Sequence, residues 1–202
     1  TFNHNAKIRS MSGLTGAAAA ERVLHSAGIY DVSIQRIRAQ LTDHYDPRTK
    51  RLALSQDVYG RTSVAAVCVA AHECGHAIQH NINYAPLNIR SAIVPVANIG
   101  SSLSWPIFLL GLILSIPALT TVGIVLFSLA VLFQLVTLPV EFNASSRALK
   151  MLESTGILSH EENKGAKKVL TAAALTYVAA LASSILQLLR LIILSGGRRR
   201  DD

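Results

Sequence analysis

An uncharged run of 50 residues, Ser91–Val140, contains no Asp, Glu, Lys or Arg and most constrains the fold of this chain. A bilayer core about 30 Å thick takes roughly 20 apolar residues per helical crossing. The run is long enough for two crossings, which we predict near Ala92–Ser115 and Val122–Val140. Pro117 and the Thr120-Thr121 pair mark the predicted turn between them. A buried helical hairpin in a soluble core is the alternative, and the length of the run disfavours it.

A third apolar stretch, Val169–Leu194, is interrupted only by Gln187 and Arg190. Arg190 can extend toward lipid headgroups or form a pair inside a helical bundle. We therefore predict an integral membrane protein with three crossings. The small residues of this stretch offer a face for close helix packing, within the bundle or in a homo- or hetero-oligomer. They are Ala172–Ala174, Ala179-Ala180 and Ala182–Ser184.

The segment His72-Glu73-Cys74-Gly75-His76 spells H-E-x-x-H inside Thr62–His80, which we predict to be a helix. Residues four apart lie nearly above one another on a helix, so His72 and His76 point the same way and can bind one Zn²⁺. Glu73 then lies beside the open coordination position. A carboxylate there can accept a proton from water and pass it to a leaving amine. The pattern is typical of metalloproteases.

The alternative to a zinc site is a surface helix that carries two histidines and a solvated glutamate. Against it, Val64–Ala71 is apolar nearly all round, which indicates burial. Polar groups on a buried helix need partners, and a metal would satisfy His72, Glu73 and His76 together. His80 continues the spacing, but its Cα lies about 12 Å along the helix axis from that of His72. One ion cannot reach both, so we expect His80 beside the site or on the surface.

The segment before the predicted zinc helix is typical of a small α/β unit. Thr15 can cap a helix over Gly16–Ser26. Ile29–Ile37 and Arg51–Ser55 are predicted strands of a hairpin, with a turn at Asp46-Pro47 between them. An edge strand can pair with an extended substrate through main-chain hydrogen bonds, and we predict Arg51–Ser55 as that edge.

A zinc protease needs a third protein ligand, and Glu141 stands where the second predicted crossing ends. A membrane hairpin that leaves the zinc domain and returns must come back on the same side. Glu141 would then arrive near His72 and His76. An ordinary glutamate at the membrane interface is the alternative. The other carboxylates after the hairpin lie in a charged, solvated stretch and are weaker candidates. They are Glu153, Glu161 and Glu162.

The predicted fold is an α+β membrane protein, in which a small core of helix, β-hairpin and zinc helix joins a transmembrane helical bundle. We assign residues 1–89 to the zinc-protease core and residues 90–140 to the transmembrane hairpin. Residues 141–168 form the third-ligand helix and a basic loop, and residues 169–202 the third transmembrane helix and a basic tail.

The formal net charge of +7 does not indicate nucleic-acid binding, because the basic residues lie beside the apolar segments. This placement suits contacts with lipid headgroups. The uncharged turn near Pro117 and the basic loop Phe142–Lys168 favour an active site on the cytoplasmic face. If the third segment crosses fully, Arg198–Arg200 would lie outside, which is against this rule. The basic residues that flank the apolar segments are Arg90, Arg147, Lys150, Lys164, Lys167, Lys168 and Arg198–Arg200.

Five segments resemble the YugP-like zinc metallopeptidases of bacterial membranes, and the likeness covers nearly the whole chain. The resemblance implies a zinc-dependent membrane protease with His72 and His76 as ligands and Glu73 as catalytic acid and base. The segments are Leu41–Pro47, Leu54-Ser55, Val58-Tyr59, Val69–Gln79 (VAAHECGHAIQ) and Val140–Ala148 (VEFNASSRA).

The segment Glu141-Phe142-Asn143-Ala144 also resembles the one that supplies the third ligand, a glutamate, in HtpX-like and CAAX prenyl proteases. Those enzymes usually carry Asp four residues after that glutamate, whereas this chain has Ser145. Whether Ser145 supports the zinc histidines is therefore open. A further donor should stabilise the oxyanion during peptide hydrolysis. The sequence offers four candidates without ranking them: His44, Tyr45, His80 and Arg147.

We predict a gluzincin-like zinc endopeptidase that hydrolyses peptide bonds of membrane or membrane-proximal proteins. A zinc-stabilised membrane scaffold or partner subunit without proteolysis is the alternative. The intact Glu73 disfavours it, because a purely structural zinc site needs no base. A zinc hydrolase of lipids or small molecules is a third hypothesis.

Overall fold

The computed structural model describes residues 8–38 and 42–197; the predicted tail Arg198–Arg200 and Leu41 lie outside them. The protein is mostly helical with one small sheet, which confirms the predicted fold class. The described elements are α1 (Gly16–Ser26), β1 (Ser33–Ile37), β2 (His44–Asp46), β3 (Arg51–Ser55), α2 (Gln56–Tyr59), α3 (Val64–Asn81), α4 (Ala85–Ile113), α5 (Pro117–Ser154) and α6 (His160–Gly197).

The chain divides into two compact units. One comprises the described residues up to Tyr84 together with Val140–Leu175, and the other comprises Ala85–Pro139 together with the described residues from Thr176 onward. Helix α5 therefore contributes its last part to the first of these units and its first part to the second. Val140 and the residues after it fold with the metal-binding helix α3.

The first unit is built around α3, which packs against α1 and the sheet. Helix α1 begins at the predicted residue, whereas α3 begins at Val64, two residues after the predicted start at Thr62. The Thr15 hydroxyl accepts a hydrogen bond from the Ala18 amide (3.2 Å), and the Ser63 hydroxyl accepts one from the Ala66 amide (3.2 Å). Each cap satisfies an amide that has no partner within its helix. The core between these elements is apolar and includes Val23, Leu24, Leu52, Leu54, Val67 and Ala71.

The three-stranded sheet has the order β1-β3-β2. Strand β1 pairs with β3 in parallel, with Ser33 opposite Arg51, and β2 pairs with β3 antiparallel, with Tyr45 opposite Leu52. The predicted hairpin of Ile29–Ile37 with Arg51–Ser55 is therefore wrong. The hairpin is instead formed by β2 and β3, through the turn that follows Asp46.

The prediction of Arg51–Ser55 as the substrate edge is also wrong, because β3 is the central strand. Its residues Leu52, Ala53 and Leu54 are all completely buried. A continuous apolar run is the pattern of a strand covered on both faces. The two edges are β1 and β2, whose sequences carry more polar residues.

The second unit contains the close packing of α4 against the first part of α5. A Cβ at Gly123 would lie 2.7 Å from Cβ of Phe108, so only glycine allows this approach. The turn between the helices falls at residues 114–116, where Ile116 N donates to Gly111 O (2.9 Å). Pro117 opens α5 at the position that proline favours. The predicted Thr120-Thr121 turn is thus wrong, since both hydroxyls donate to Pro117 O within the first helical turn.

Three helices, α4, α5 and α6, are long and apolar enough to cross a membrane. Many of their large apolar side chains are exposed, among them Ile99, Leu110, Val125 and Leu186. Exposed apolar surface on helices of this length is what a bilayer would cover. The candidate crossings agree with the three that the sequence predicts.

Candidate metal centre

His72 and His76 lie on the same face of α3, one turn apart. Their rings meet edge to face with centroids 4.9 Å apart. His76 is buried and the side chain of His72 is 16% exposed. The helix holds both imidazoles at fixed positions because most of its other residues are buried.

Glu141 joins the two histidines from α5. Its carboxylate is 3% exposed; Oε2 lies 3.2 Å from His72 Nε2, and Oε1 lies 3.7 Å from His76 Nε2. Gly75 permits this approach, because a Cβ there would lie 2.5 Å from the Ala144 carbonyl oxygen. The glycine of the motif therefore lets the α5 backbone lie directly against α3, one turn beyond Glu141.

These three side chains fit a zinc ion. Their ligand atoms all lie within 4.8 Å of one another. Zinc binds imidazole nitrogen and carboxylate oxygen at about 2.0–2.2 Å, so the ligands of one tetrahedral ion lie about 3.3 Å apart. The 3.2 Å from His72 Nε2 to Glu141 Oε2 is close to that value, and the 3.7 Å from His76 Nε2 to the other oxygen, Oε1, is somewhat longer. Two histidines and a glutamate are also a donor set of catalytic zinc sites, which leave a coordination position open.

Gln79 fixes the orientation of His76. Its Oε1 accepts a hydrogen bond from His76 Nδ1 (3.0 Å), and its Nε2 donates to Val140 O (2.8 Å) and Asn143 Oδ1 (3.0 Å). A carbonyl oxygen can only accept, so Val140 O determines which end of the amide faces His76. His76 therefore carries a proton on Nδ1, and Nε2 is the ring nitrogen that faces Glu141.

Ser145 lies beside Nδ1 of His72, as Gln79 lies beside Nδ1 of His76. Its hydroxyl lies 3.1 Å from His72 Nδ1. Because a hydroxyl can donate or accept, it can accept from Nδ1–H when Nε2 binds a metal. Ser145 thus lies one turn after Glu141, at the position where the HtpX-like proteases carry aspartate.

Arg147 does not contact the two histidines directly, unlike Gln79 and Ser145. Its Nε donates to Asn143 Oδ1 (2.7 Å), and its guanidinium lies 6.0 Å from the centroid of the Tyr84 ring. Asn143 Oδ1 therefore accepts from both Arg147 and Gln79. The chain of hydrogen bonds from Arg147 through Asn143 and Gln79 ends at His76.

Glu73 is 9% exposed and adjoins the metal group. Burial raises the pKa of its carboxyl to about 7, and the nearby Glu141 and Asp43 add to the rise. His72 and a hydrogen bond from the Tyr45 backbone amide oppose it. A carboxyl group whose pKa lies near neutrality can both accept and return a proton, which is the property of a general base that later acts as an acid.

The remaining predicted residues lie on or beside β2. The Tyr45 hydroxyl and His80 Nδ1 share a hydrogen bond of 2.9 Å, and burial raises the pKa of Tyr45 to about 12. His44 Nδ1 lies 2.7 Å from Thr42 O, away from the three ligands. None of these three belongs to the group of potential ligands, which comprises His72, His76 and Glu141 among the described residues.

Sequence reasoning missed Gln79 and Asn143. A signal for Gln79 exists, since a glutamine three residues after His76 on a buried helix needs hydrogen-bond partners. The partners themselves come from α5, which is distant along the chain, so the sequence does not identify them.

The comparisons with known proteins agree with this geometry. The model of the family described as "Putative neutral zinc metallopeptidase" matches residues 1–196. The chain belongs to this family, with His72, His76 and Glu141 as its metal-binding group. It is also 48% identical over 193 residues to the "Putative membrane protease YugP" of Bacillus subtilis (strain 168), across 96% of this chain and 86% of that protein. No solved structure matches the chain.

Proposed function

We propose that the protein is a membrane-embedded zinc endopeptidase that cleaves polypeptides in or beside the bilayer. The observation that carries this proposal is the buried carboxylate of Glu73 beside a group of two histidines and a glutamate. His72, His76 and Glu141 would hold a zinc ion, which would supply the Lewis acidity that activates water and a peptide carbonyl. The proposed membrane location is supported by Glu141 itself, which stands on α5, one of the three candidate membrane spans.

In this proposal Glu73 transfers the proton, and the metal ligands keep their positions throughout the reaction. Glu73 accepts a proton from the attacking water and returns it to the leaving amine. Gln79 and Ser145 keep His76 and His72 in position through their Nδ1 atoms. Positioned partners of this kind reduce the reorganisation that the reaction would otherwise need.

The edge strand β2 is the proposed platform for an extended substrate. Within residues 8–38 and 42–197, β2 pairs with β3 on one side and with no strand on the other. The backbone amide of Tyr45, in the middle of β2, makes a hydrogen bond to Glu73. A peptide added along this edge would therefore lie beside the proposed base. Methylation of single backbone amides in a cleaved peptide should lower kcat/KM at alternate residues near the scissile bond. Equal effects at every position would contradict pairing with a strand.

The decisive test of the function is Glu73→Gln in the full chain reconstituted in lipid. This variant should keep zinc, because Glu73 is not one of the three ligands. Cleavage should fall by about 10²–10⁴-fold, the usual contribution of a general base. Glu21→Gln, an exposed position on α1, is the matched control and should cleave normally. Unchanged cleavage by Glu73→Gln would exclude the proposed role. A wild-type protein that unfolds without zinc yet cleaves no substrate would favour the scaffold instead.

We also propose that the metal centre faces the cytoplasm. The turn at residues 114–116 carries no charge, whereas the segment from Arg147 to Lys168 is basic. Cysteines introduced at Leu114 and Glu161 test this, because the native Cys68 and Cys74 are buried. In intact cells an impermeant maleimide should label Leu114→Cys and spare Glu161→Cys. The opposite labelling would place the site outside.

A further inference from the structure

A groove of about 420 Å³ runs between the last part of α5 and the first part of α6, inside the first compact unit. Its wall on α5 extends from Phe142 to Glu153, and its wall on α6 extends from Asn163 to Ala174. Each wall spans 11 residue steps, or about 17 Å at 1.5 Å per residue. The groove is separate from the metal centre: none of His72, His76 and Glu141 lines it, and the two share only Ser145.

One end of the groove presents hydrogen-bond acceptors. Glu153 lies at this end on α5, and Asn163 lies opposite on α6. The Asn163 Oδ1 atom is buried and has no hydrogen-bond partner in the part of the chain that the structure describes. A buried acceptor without a partner is costly, so a ligand N–H donor that reached this atom would be favoured. The carboxylate beside it favours a positively charged donor.

The middle of the groove presents two cations. Lys150 on α5 and Lys167 on α6 are both exposed, and neither forms a hydrogen bond or ion pair with another described residue. Lys164 differs, because its ammonium pairs with Glu161 at 2.8 Å. Two unpaired ammonium groups on facing walls suit an anionic group such as a phosphate.

The other end of the groove is apolar and is lined by Phe142, Leu170 and Ala174. Beyond it, α5 leads back into the uncharged run that ends at Val140, and α6 continues without a charged residue until Arg190. The groove therefore lies where the charged residues of both helices give way to apolar ones. On helices that cross a membrane, this level corresponds to the headgroup region.

We propose that this groove binds an aminophospholipid, of the phosphatidylethanolamine class. The order of groups along the groove matches the order in that lipid from water to bilayer. Its ammonium would meet Glu153 and Asn163, its phosphate would lie between Lys150 and Lys167, and its acyl chains would follow the apolar end. Phosphatidylglycerol lacks the cation, and phosphatidylcholine carries a quaternary ammonium without N–H donors. The acceptor end therefore distinguishes the three lipids.

The test measures lipid binding directly, because Ser145 links the groove to His72 and activity alone would mix two effects. The full chain is placed in nanodiscs of phosphatidylcholine that contain a small fraction of labelled phosphatidylethanolamine or phosphatidylglycerol. The lipid retained by the protein is then quantified by native mass spectrometry. The wild-type protein should retain phosphatidylethanolamine in preference to the other two lipids.

Two variants separate the ends of the groove. Lys150→Gln with Lys167→Gln should lower phosphatidylethanolamine binding by about 10-fold or more, since each substitution removes a charged donor to the phosphate. Glu153→Gln should lower the preference for phosphatidylethanolamine over phosphatidylglycerol by about 5-fold or more. The matched controls are exposed residues of α6 outside the groove and should bind as the wild type does. They are Lys164→Gln with Lys168→Gln, and Glu161→Gln.

Several results would overturn the proposal. These are equal retention of phosphatidylethanolamine and phosphatidylcholine, stronger retention of phosphatidylglycerol, no loss in the lysine variant, or an equal loss in the lysine control. Zinc content and circular dichroism establish that each variant is folded. If the lysine variant fails to fold, photoactivatable phosphatidylethanolamine on the wild-type chain replaces it. The label should then fall within residues 142–174, and labelling confined to other residues would equally exclude the groove.

Discussion

The two histidines of the metal centre are supported in different ways. On the His76 side, Gln79 is completely buried and makes three hydrogen bonds, and its amide can face His76 in only one orientation. On the His72 side, the support is the single hydroxyl of Ser145. A hydroxyl reverses its role at little cost, whereas a fixed amide does not. The His76 side is therefore fixed before a metal binds, and the His72 side can adjust.

This difference predicts unequal effects of substitution on zinc affinity. Loss of an outer partner of a metal-bound histidine typically costs 10–100-fold in metal affinity. We expect Gln79 near the upper end of that range and Ser145 near the lower end. Loss of Glu141, which contacts both sides, should exceed either.

Glu141→Gln should have the largest effect. The substitution keeps the shape of the side chain but removes the charge that lies 3.2 Å from His72 Nε2 and 3.7 Å from His76 Nε2. Zinc affinity, measured by competition with a chelator, should fall by more than the 10–100-fold expected for an outer partner. Glu161→Gln, an exposed glutamate on α6, is the control. An unchanged affinity in Glu141→Gln would mean that another residue completes the site.

Gln79→Met should have the second-largest effect and lower zinc affinity by about 100-fold. Methionine has a similar volume, but its thioether is only a weak acceptor for the Nδ1–H of His76, so the histidine loses its fixed tautomer. Unfolding of the metal-free protein separates this effect from a general loss of stability. Gln56→Met, at an exposed position, is the matched control. A loss of stability without a loss of zinc affinity would show that Gln79 only joins α3 to α5.

Ser145→Ala should lower zinc affinity by about 10-fold. Ser145→Asp sharpens the comparison, because a carboxylate accepts from His72 Nδ1 and cannot reverse its role. It should bind zinc more tightly than the wild-type protein. Ser146→Asp, its exposed neighbour on α5, controls for added negative charge. Equal gains in Ser145→Asp and Ser146→Asp would mean that charge alone acts.

The two sides also differ in how far the sequence predicts them. His72 and His76 follow from a local spacing on one helix, and Glu141 from the need for a membrane hairpin to return to its starting side. Ser145 is visible only as a departure from the HtpX-like pattern. The partners of Gln79 depend on the packing of α5 against α3, which no local pattern encodes. The site is thus predictable where it depends on helix geometry and chain direction, and not where it depends on side-chain packing.

The sheet illustrates the same limit. The strand Arg51–Ser55 is predicted correctly, but its place in the sheet is not, because pairing is set by the distant β1 and β2. Its Leu52-Ala53-Leu54 run does carry a signal for a central strand, since a solvated edge would alternate with polar residues. Among the membrane helices, where apolar length determines the outcome, the predictions agree with the structure.

Arg147→Met should have the smallest effect on zinc. The residue lies three hydrogen bonds away from His76 Nδ1, through Asn143 and Gln79, and Gln79 keeps its bond to Val140 O without it. Zinc affinity should therefore change by less than about 3-fold, well below the range for a direct outer partner. The protein should lose about 1 kcal/mol of stability, from one hydrogen bond and one cation–π contact with Tyr84. A donor to the oxyanion would instead cost about 10²–10³-fold in kcat when removed. A fall in kcat of that size with normal zinc affinity would mean that Arg147 donates to the reacting carbonyl and does not merely support His76.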